Sequence, residues 1–277
     1  MASAIHHLNC ASMAPALSLG GRVPARMVAH CLLVEGDAGL TLVDTGFGTA
    51  DLAAARQRLG AGFVRLMGPA LDPTETALAQ VRAAGYDARD VRNVVVTHLD
   101  LDHAGGLGDF PDATVHVFAD ELEAATRRGS PKERSRYKPA QWAHGPHWLP
   151  HRVEGEDWLG FSAVPVLDDV VLVPLRGHTR GHSAVGVRRP SGGWFLHAGD
   201  GYFSSGEKET PPTCPSGLAL FQTFMQMDKR ARLDNQDRLR SLHAEHGPAS
   251  TAPPERRVTI FSAHDVTEYD DLASVTD

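Results

Sequence analysis

Short apolar runs that end in turn-forming residues recur along this chain, and they predict β-strands. Two early runs flank Glu-Gly-Asp-Ala-Gly and predict a hairpin, as do two later runs that flank Pro-Ser-Gly-Gly. The predicted strands are residues 27–34, 40–43, 91–97, 114–118, 164–166, 170–174, 183–187 and 194–197, and a final strand begins at Val258 and leads to His264.

Apolar positions at helical spacing separate these strands. Leu78, Val81 and Ala84 recur every three residues, and Gly85 follows them as a stop signal. Strands in two groups with helices between them predict an α/β protein built in layers. The predicted helices are residues 74–84, 120–127, 218–227, 231–246 and 265–272.

Residues 129–150 show no clear period and are rich in Arg, Lys, His, Trp and Pro. Irregular segments of this length are uncommon in compact domains, and they are often functional. We therefore expect one domain over residues 1–277, with an insertion at 129–150 that lies near the active site.

Four of the predicted strands are followed by metal-binding side chains. The segment 97–106 (Thr-His-Leu-Asp-Leu-Asp-His-Ala-Gly-Gly) places two histidines and two aspartates in one turn. A Gly-His-Thr-Arg-Gly-His turn at 177–182, a Gly-Asp pair at 199–200 and a His-Asp pair at 264–265 follow other strands. Imidazole and carboxylate hold zinc and similar cations at neutral pH. The sequence therefore predicts a metal site assembled from distant segments.

In order and approximate spacing these motifs resemble the metallo-β-lactamase superfamily, and within it the acyl-homoserine lactonases and glyoxalase II-like hydrolases. The resemblance begins at 42–46 (Leu-Val-Asp-Thr-Gly) and continues to 264–265. It implies a four-layer αββα sandwich, in which two β-sheets pack face to face with helices outside.

The resemblance also implies a cofactor. We expect two divalent ions, with zinc as the first choice and iron or manganese as alternatives, and a water or hydroxide between the ions as the nucleophile. The implied ligands are His98, Asp100 and His178 for one ion, Asp102, His103 and His264 for the other, and Asp200 for both.

The usual family motif has a histidine where this chain has Asp100. Two divalent cations, three carboxylates and one hydroxide sum to zero charge, whereas the usual cluster would carry one net positive charge. A less positive cluster polarises a carbonyl less strongly. The alternative is that Asp100 leaves the first position weakly occupied and the protein binds one ion.

Three further residues have predicted roles. Asp44 follows an apolar strand and would hold a ligating imidazole in the required tautomer, with a turn cap as the alternative. Asp102 is a candidate catalytic residue as well as a ligand. Tyr202 lies two residues after Asp200 and would stabilise an oxyanion, with plain loop packing as the alternative. In the lactonases the tyrosine follows by three residues, where this chain has Phe203.

The predicted function is metal-dependent hydrolysis of a small carbonyl ester, first of all a lactone such as an acyl-homoserine lactone. A thioester or phosphodiester hydrolase of the same fold is an alternative. A diiron redox protein is another, because flavodiiron proteins resemble this motif and have a glutamate at the position of Asp100. A non-catalytic metal-binding protein is disfavoured by the complete ligand set.

Composition narrows these classes. The 277 residues are 42% hydrophobic and 22% charged, as in ordinary globular proteins. A net charge of -7 without a long basic block argues against nucleic acid as a partner. Three widely spaced cysteines and no recognisable signal peptide or membrane span favour a cytoplasmic protein. We expect a small-molecule substrate and no membrane partner, and a homodimer is left open.

Overall fold

Two β-sheets form the frame of the protein in the computed structural model, which describes residues 2–16, 18, 22–37, 39–153, 156–275 and 277. Over these residues the first sheet has six strands in chain order: β1 (Ala2–Met13), β2 (Met27–Gly36), β3 (Gly39–Val43), β4 (Val91–Val95), β5 (Thr114–Phe118) and β6 (His147–His151). β1, β2 and β3 pair antiparallel, and β3 to β6 pair parallel.

The second sheet is mostly antiparallel. Its described strands are β7 (Glu156–Trp158), β8 (Phe161–Leu167), β9 (Val170–Pro174), β10 (Ser183–Arg188), β11 (Trp194–His197) and β12 (Val258–Phe261). β7 to β11 pair antiparallel in chain order, and β12 adds to β11 in parallel. The predicted hairpin of β10 and β11 is confirmed, with Val185 opposite His197.

The two sheets pack face to face around a shared apolar layer. Leu32 and Val95 of the first sheet and Leu172 and Phe195 of the second belong to one buried cluster. Burying one such aliphatic side chain stabilises the fold by roughly 1.5–3 kcal/mol. The layer therefore fixes the sheets against each other, and with them the loops at the strand ends.

Helices cover the outer faces of both sheets and the loops at the strand ends. In the described residues they are α1 (Thr49–Ala53), α2 (Ala61–Met67), α3 (Ala77–Ala83), α4 (Leu101–Ala104), α5 (Ala119–Arg127), α6 (Pro131–Arg136), α7 (Ser216–Met225), α8 (Lys229–His246) and α9 (Val266–Leu272). Val81 of α3 and Ala124 of α5 join the cluster outside the first sheet, and Leu239 of α8 joins the cluster outside the second. The predicted αββα sandwich is confirmed.

Among the residues that the structure describes, no helix is both long enough and apolar enough to cross a lipid bilayer.

The longest strand, β1, was missing from the sequence prediction. It pairs with β2 from Ala2 opposite Gly36 to Met13 opposite Met27. Residues 7–11 are all buried, so β1 lacks the alternation of apolar and polar positions that marks a half-exposed strand. Its histidines and asparagine further weaken the apolar signal.

Residues 129–150 are more regular than predicted. Ser130 and Glu133 form a reciprocal capping box that starts α6. The segment then leads into β6, which pairs with β5 at the edge of the first sheet. A six-residue helix and a strand that contains proline are too short and too irregular to give a recognisable period.

Candidate metal centre

Seven side chains with metal-binding atoms converge beyond the ends of β4, β9, β11 and β12. They form two sets, and within each set the candidate ligand atoms all lie within 4.8 Å of one another. The first donor group is His98, Asp100, His178 and Asp200, and the second donor group is Asp102, His103 and His264. The structure thus brings together all seven side chains that the sequence predicted as ligands.

Asp200 connects the two donor groups through its two carboxylate oxygens. Oδ2 lies 3.2 Å from Nε2 of His178 in the first group. Oδ1 lies 3.3 Å from Nε2 of His103 and 3.1 Å from Nε2 of His264 in the second group. One oxygen for each group is the arrangement of a bridging carboxylate. Asp102 is more peripheral, with Oδ2 3.7 Å from His264 Nε2.

Several atoms of the cluster are buried and yet lack a hydrogen-bond partner within the described part of the chain. Those that face the cluster include Nε2 of His98, Nε2 of His103 and Oδ1 of Asp200. A buried polar atom left unpaired costs about 1–3 kcal/mol. Unpaired imidazole and carboxylate atoms that face a common point are the donor set of a divalent cation. The cluster is therefore able to hold metal ions.

The charge of Asp200 also suits a cation. Burial by itself raises the pKa of a carboxyl group, but the neighbouring His264, His178 and His103 outweigh burial here. The pKa of Asp200 consequently lies well below its usual value. Asp200 is therefore an anion at neutral pH, with both oxygens able to accept.

Asp44 supports the second donor group from behind. Its Oδ2 lies 2.8 Å from Nδ1 of His103, while Thr97 donates to both carboxylate oxygens from its backbone N–H and its hydroxyl. When His103 Nδ1 carries the proton, Nε2 presents a lone pair toward the cluster. Asp44 has a φ of 55°, in the left-handed region that asparagine and aspartate tolerate best. The predicted supporting contact of Asp44 is present.

Three other histidines bond through their rings to the backbone. His264 Nδ1 lies 2.7 Å from the carbonyl oxygen of Val28, which leaves its Nε2 for the cluster. The backbone N–H of Asp200 donates to Nε2 of His182, and that of Gly199 donates to Nδ1 of His197. His182 and His197 therefore hold the backbone turn that presents the bridging carboxylate, and no role as ligands is needed to explain them.

Glu121 holds the loops of the first donor group and was not singled out from the sequence. It is fully buried, and its carboxylate accepts from the backbone N–H groups of Leu99 and Gly181 and from the hydroxyls of Tyr137 and Thr179. Leu99 lies between two donor residues, and Thr179 follows His178. One carboxylate thus joins two ligand-bearing loops to the segment after α6.

Arg136 is the second residue that the sequence analysis missed. Its Nε lies 3.4 Å from Oδ1 of Asp100, and its side chain is only 3% exposed. Burial raises the pKa of Asp100, but the charge of Arg136 and hydrogen bonds with His178 and His98 hold it well below the usual value. Arg136 lies in the segment rich in basic residues, and that richness was the only sequence signal for it.

Tyr202 is not placed where the prediction needs it. Its hydroxyl donates to Oε1 of Glu268 at 2.8 Å, and the ring is buried in the cluster outside the second sheet. The next residue, Phe203, stacks on His264 with ring centroids 5.2 Å apart and faces the cavity. A one-residue offset has thus exchanged a phenol for a phenyl ring beside the metal centre. We do not propose Tyr202 as an oxyanion donor.

Two glycines allow the close packing of the ligand loops. Gly105 has a helical backbone with φ of -61°, so it is not needed to make a turn. A Cβ there would lie 2.3 Å from Oδ2 of Asp51. Gly199 has a φ of 53°, and a Cβ there would lie 2.6 Å from Nε2 of His182. Both positions require glycine because other groups already occupy the space of a side chain.

Both donor groups open into one cavity of about 810 Å³. Asp100, Asp102, His178, Asp200 and His264 line its floor. The rest of the lining is largely apolar, and α6 with the residues that follow it adds three basic side chains. The apolar residues are Met27, Leu59, Phe63, Met67, Leu101, Phe203, Phe221, Phe224 and Met225, and the basic ones are Lys132, Arg136 and Lys138.

The fold and the donor groups agree with the comparison of this sequence with known families. The sequence profile of the metallo-beta-lactamase superfamily matches residues 25–245. This chain belongs to that superfamily. Its relatives in sequence show that it is a metallo-hydrolase.

Two relatives in sequence differ in how much of this chain they match. A protein of Mycobacterium tuberculosis that carries the name "probable metallo-hydrolase" is 41% identical over 270 residues, which cover 96% of this chain and 81% of the relative. The N-acyl homoserine lactonase AttM of Agrobacterium fabrum is 38% identical over 93 residues, covering 34% and 35% of the two chains.

A solved structure shows the same fold. It is a variant of the lactonase AiiA from Bacillus thuringiensis with N-decanoyl-L-homoserine bound at its active site. Its TM-score is 0.71, with 20% identity over 98% of this chain and 96% of that one. At this identity the likeness concerns the fold alone.

Proposed function

We propose that this metallo-hydrolase is a lactonase that opens small acylated lactones such as acyl-homoserine lactones. The observation that carries the proposal is the cavity, since both donor groups lie at its floor while the rest of its lining is mostly apolar. A lactone ring placed over the donor groups would leave an acyl chain in contact with residues such as Phe63, Met67 and Phe221. Burial of that chain would supply binding energy.

We propose two divalent ions, with zinc as the first choice, held by the first and second donor groups and bridged by Asp200. When bound, such ions polarise the substrate carbonyl and lower the pKa of water so that hydroxide is available near neutral pH. The protein's own contribution is to fix the donors. Asp44, Glu121 and the carbonyl of Val28 hold them in place from outside the cluster.

Asp102 is our candidate for moving the proton. It lines the cavity, and its side chain is 14% exposed, against 10% for Asp100 and 5% for Asp200. Its Oδ1 is the less engaged oxygen, at 4.0 Å from His103 Nε2. We assign to Oδ1 the removal of a proton from the attacking water and its transfer to the alkoxide oxygen that leaves when the lactone ring opens.

Two of the similar proteins support a lactone over other esters. An AttM lactonase is among the sequence relatives, and the AiiA structure holds the open-chain product of such a lactone.

The experiment is proton release from acyl-homoserine lactones of several chain lengths by the zinc-reconstituted protein. His103→Ala is the blank, and His147→Ala is the matched control because His147 is an exposed residue of β6 outside both donor groups. We expect turnover in the native protein and in His147→Ala, and none in His103→Ala.

Absence of turnover in zinc-loaded protein would refute the lactonase proposal and direct the search to thioesters and phosphodiesters. A protein purified with iron whose absorbance responds to a reductant would replace it with a diiron redox function. Metal content of one equivalent, unchanged after reconstitution, would refute the second ion.

A further inference from the structure

The two oxygens of Asp100 face different partners. Oδ2 lies 3.1 Å from Nε2 of His178 and 3.3 Å from Nε2 of His98, so this oxygen belongs to the first donor group. Oδ1 points away from that group and lies 3.4 Å from Nε of Arg136. One carboxylate is thus divided between the candidate metal position and a buried cation.

Arg136 is held by contacts on three sides. Its Nη1 donates to the backbone carbonyl of His178 at 2.7 Å, and its Nη2 donates to that of Met225 at 2.6 Å. Lys132, one turn earlier on α6, donates to the carbonyl of Phe224 and so fastens the helix to the same end of α7. The guanidinium is always charged and its planar fork is rigid. A fixed positive charge therefore stands beside Asp100.

We propose that Arg136 is a positioning residue paired with Asp100: it restricts this aspartate to one donor oxygen and offsets its negative charge. The inference rests on the proposed metal function and concerns a residue that the family motif does not include. With Asp100 in place of the usual histidine, the cluster has one additional negative charge. Arg136 returns the sum to that of a cluster with two carboxylates.

The pairing predicts what happens when Asp100 is replaced by histidine, which is a neutral ligand. If a histidine replaced Asp100 while Arg136 remained, the cation would face the first metal ion with no carboxylate between them. Like charges in a buried, poorly hydrated site repel strongly. Asp100→His should therefore weaken the first ion, although histidine is the residue that the family motif prefers.

The test is a double-mutant cycle in which zinc affinity is measured by competition with a chromophoric chelator. The variants are Asp100→His, Arg136→Met and the double variant. We expect Asp100→His to weaken the first zinc ion by about 10–100-fold, the usual scale for residues that tune a metal site. Arg136→Met added to Asp100→His should recover most of that loss. Arg136→Met alone should not weaken zinc binding, because it removes a positive charge.

A merely structural role predicts a different pattern. Loss of the two carbonyl contacts of Arg136 would weaken zinc binding by the same factor in both backgrounds, and that additive result would overturn the pairing. Zinc binding by Asp100→His as tight as in the native protein would overturn it too. Arg136→Lys in the Asp100→His background is the matched control, since it keeps the charge and should give no recovery.

Thermal unfolding of each variant shows whether it folds. If Arg136→Met proves unstable, Arg136→Gln removes the same charge while retaining donors for the carbonyls, and the same comparison applies. No lactone enters this measurement. The cycle can therefore succeed in a protein that fails to hydrolyse lactones, which would remove the proposed function and leave the pair of Asp100 and Arg136 in place.

Discussion

The two donor groups lie side by side and share Asp200, yet the charged side chains that directly contact one donor residue of each group, Asp44 at His103 and Arg136 at Asp100, are opposite in sign. Behind the second group are acceptors: the carboxylate of Asp44 and the carbonyl of Val28 each face the Nδ1 atom of a histidine. Beside the first group is a cation, Arg136. Acceptors orient an imidazole and raise its basicity. A cation cannot orient a histidine in this way, but it can pair with a carboxylate. The two supports therefore differ because the first group contains Asp100 where the family motif has a histidine.

The strongest way to break this comparison is to change the acceptor behind the second group. In Asp44→Asn the amide NH₂ can donate to His103 Nδ1, which would move the ring proton to Nε2 and remove the lone pair that faces the cluster. We expect the second zinc ion to bind about 10–100-fold more weakly while the first is little changed. Chelator competition measures both affinities.

Asp51→Asn is the matched control for this prediction. Asp51 is also buried, but its contacts are with Arg58 and Gly48 outside the donor groups. Equal loss of both ions in Asp44→Asn would show that Asp44 supports the whole cluster, and the contrast between the groups would fail.

The corresponding change beside the first group is Glu121→Gln. In this variant an NH₂ group replaces one of the two carboxylate oxygens and faces groups that are themselves hydrogen-bond donors. These buried N–H and O–H groups would lose their acceptor, at a cost of about 1–3 kcal/mol each. We expect the free energy of unfolding to fall and the first zinc ion to bind about 10-fold more weakly. Urea unfolding and chelator competition measure the two effects. Tyr137→Phe, which removes one donor to the same carboxylate, should give a smaller loss.

If Glu121→Gln instead weakened the second ion to the same degree, the loops would not act independently. The two groups would then have to be treated as one unit despite their different supports.

Acid should lower the stability of the protein through a buried histidine pair that lies near His264 of the second donor group. His7 and His30 are buried with ring nitrogens 2.8 Å apart, and His30 donates its backbone N–H to Ala263, next to His264. Burial, with His197 and Arg189 nearby, lowers the pKa of His7 from 6.5 to about 4. Between pH 4 and pH 6.5 His7 therefore binds a proton in the unfolded protein but not in the folded protein. The free energy of unfolding should fall as the pH falls from 6.5 to 4, by about 1.4 kcal/mol per pH unit for each such proton.

Urea unfolding of metal-free protein across this range measures the slope. His7→Gln cannot titrate but retains an amide that can bond to His30, so its stability should depend less steeply on pH. An unchanged slope would show that His7 is not the group responsible.

The smallest effect is expected for Tyr202→Phe. Because the hydroxyl donates to Glu268 and not into the cavity, turnover should be unchanged, and the free energy of unfolding should fall by about 1 kcal/mol. Steady-state kinetics and urea unfolding check the two parts. A large fall in turnover with unchanged stability would return Tyr202 to the reaction.

Much of the fold and of the donor set could be predicted from the sequence. Short apolar strands followed by His, Asp or Gly-Asp place ligands at strand ends, and this signal is local. The same holds for Asp44, which directly follows β3. Local patterns and the family resemblance together predicted both donor groups.

The residues that the sequence analysis missed depend on contacts between distant segments. Arg136 meets Asp100, and Glu121 meets Gly181, only because the sheets bring their loops to one end. Neither has a distinctive neighbourhood in the sequence. The error at Tyr202 has a different origin: the position after Asp200 was known, but which of two successive side chains faces the cavity depends on the backbone path.

The position of His264 near the end of the chain determines when the second donor group can be completed during synthesis. His264 and Val28 are 236 positions apart, and His264 follows the last strand of the second sheet. A chain emerging from the ribosome acquires His98, Asp100, His178 and Asp200 well before His264. All residues of the first donor group have therefore been synthesised before His264, which the second donor group needs.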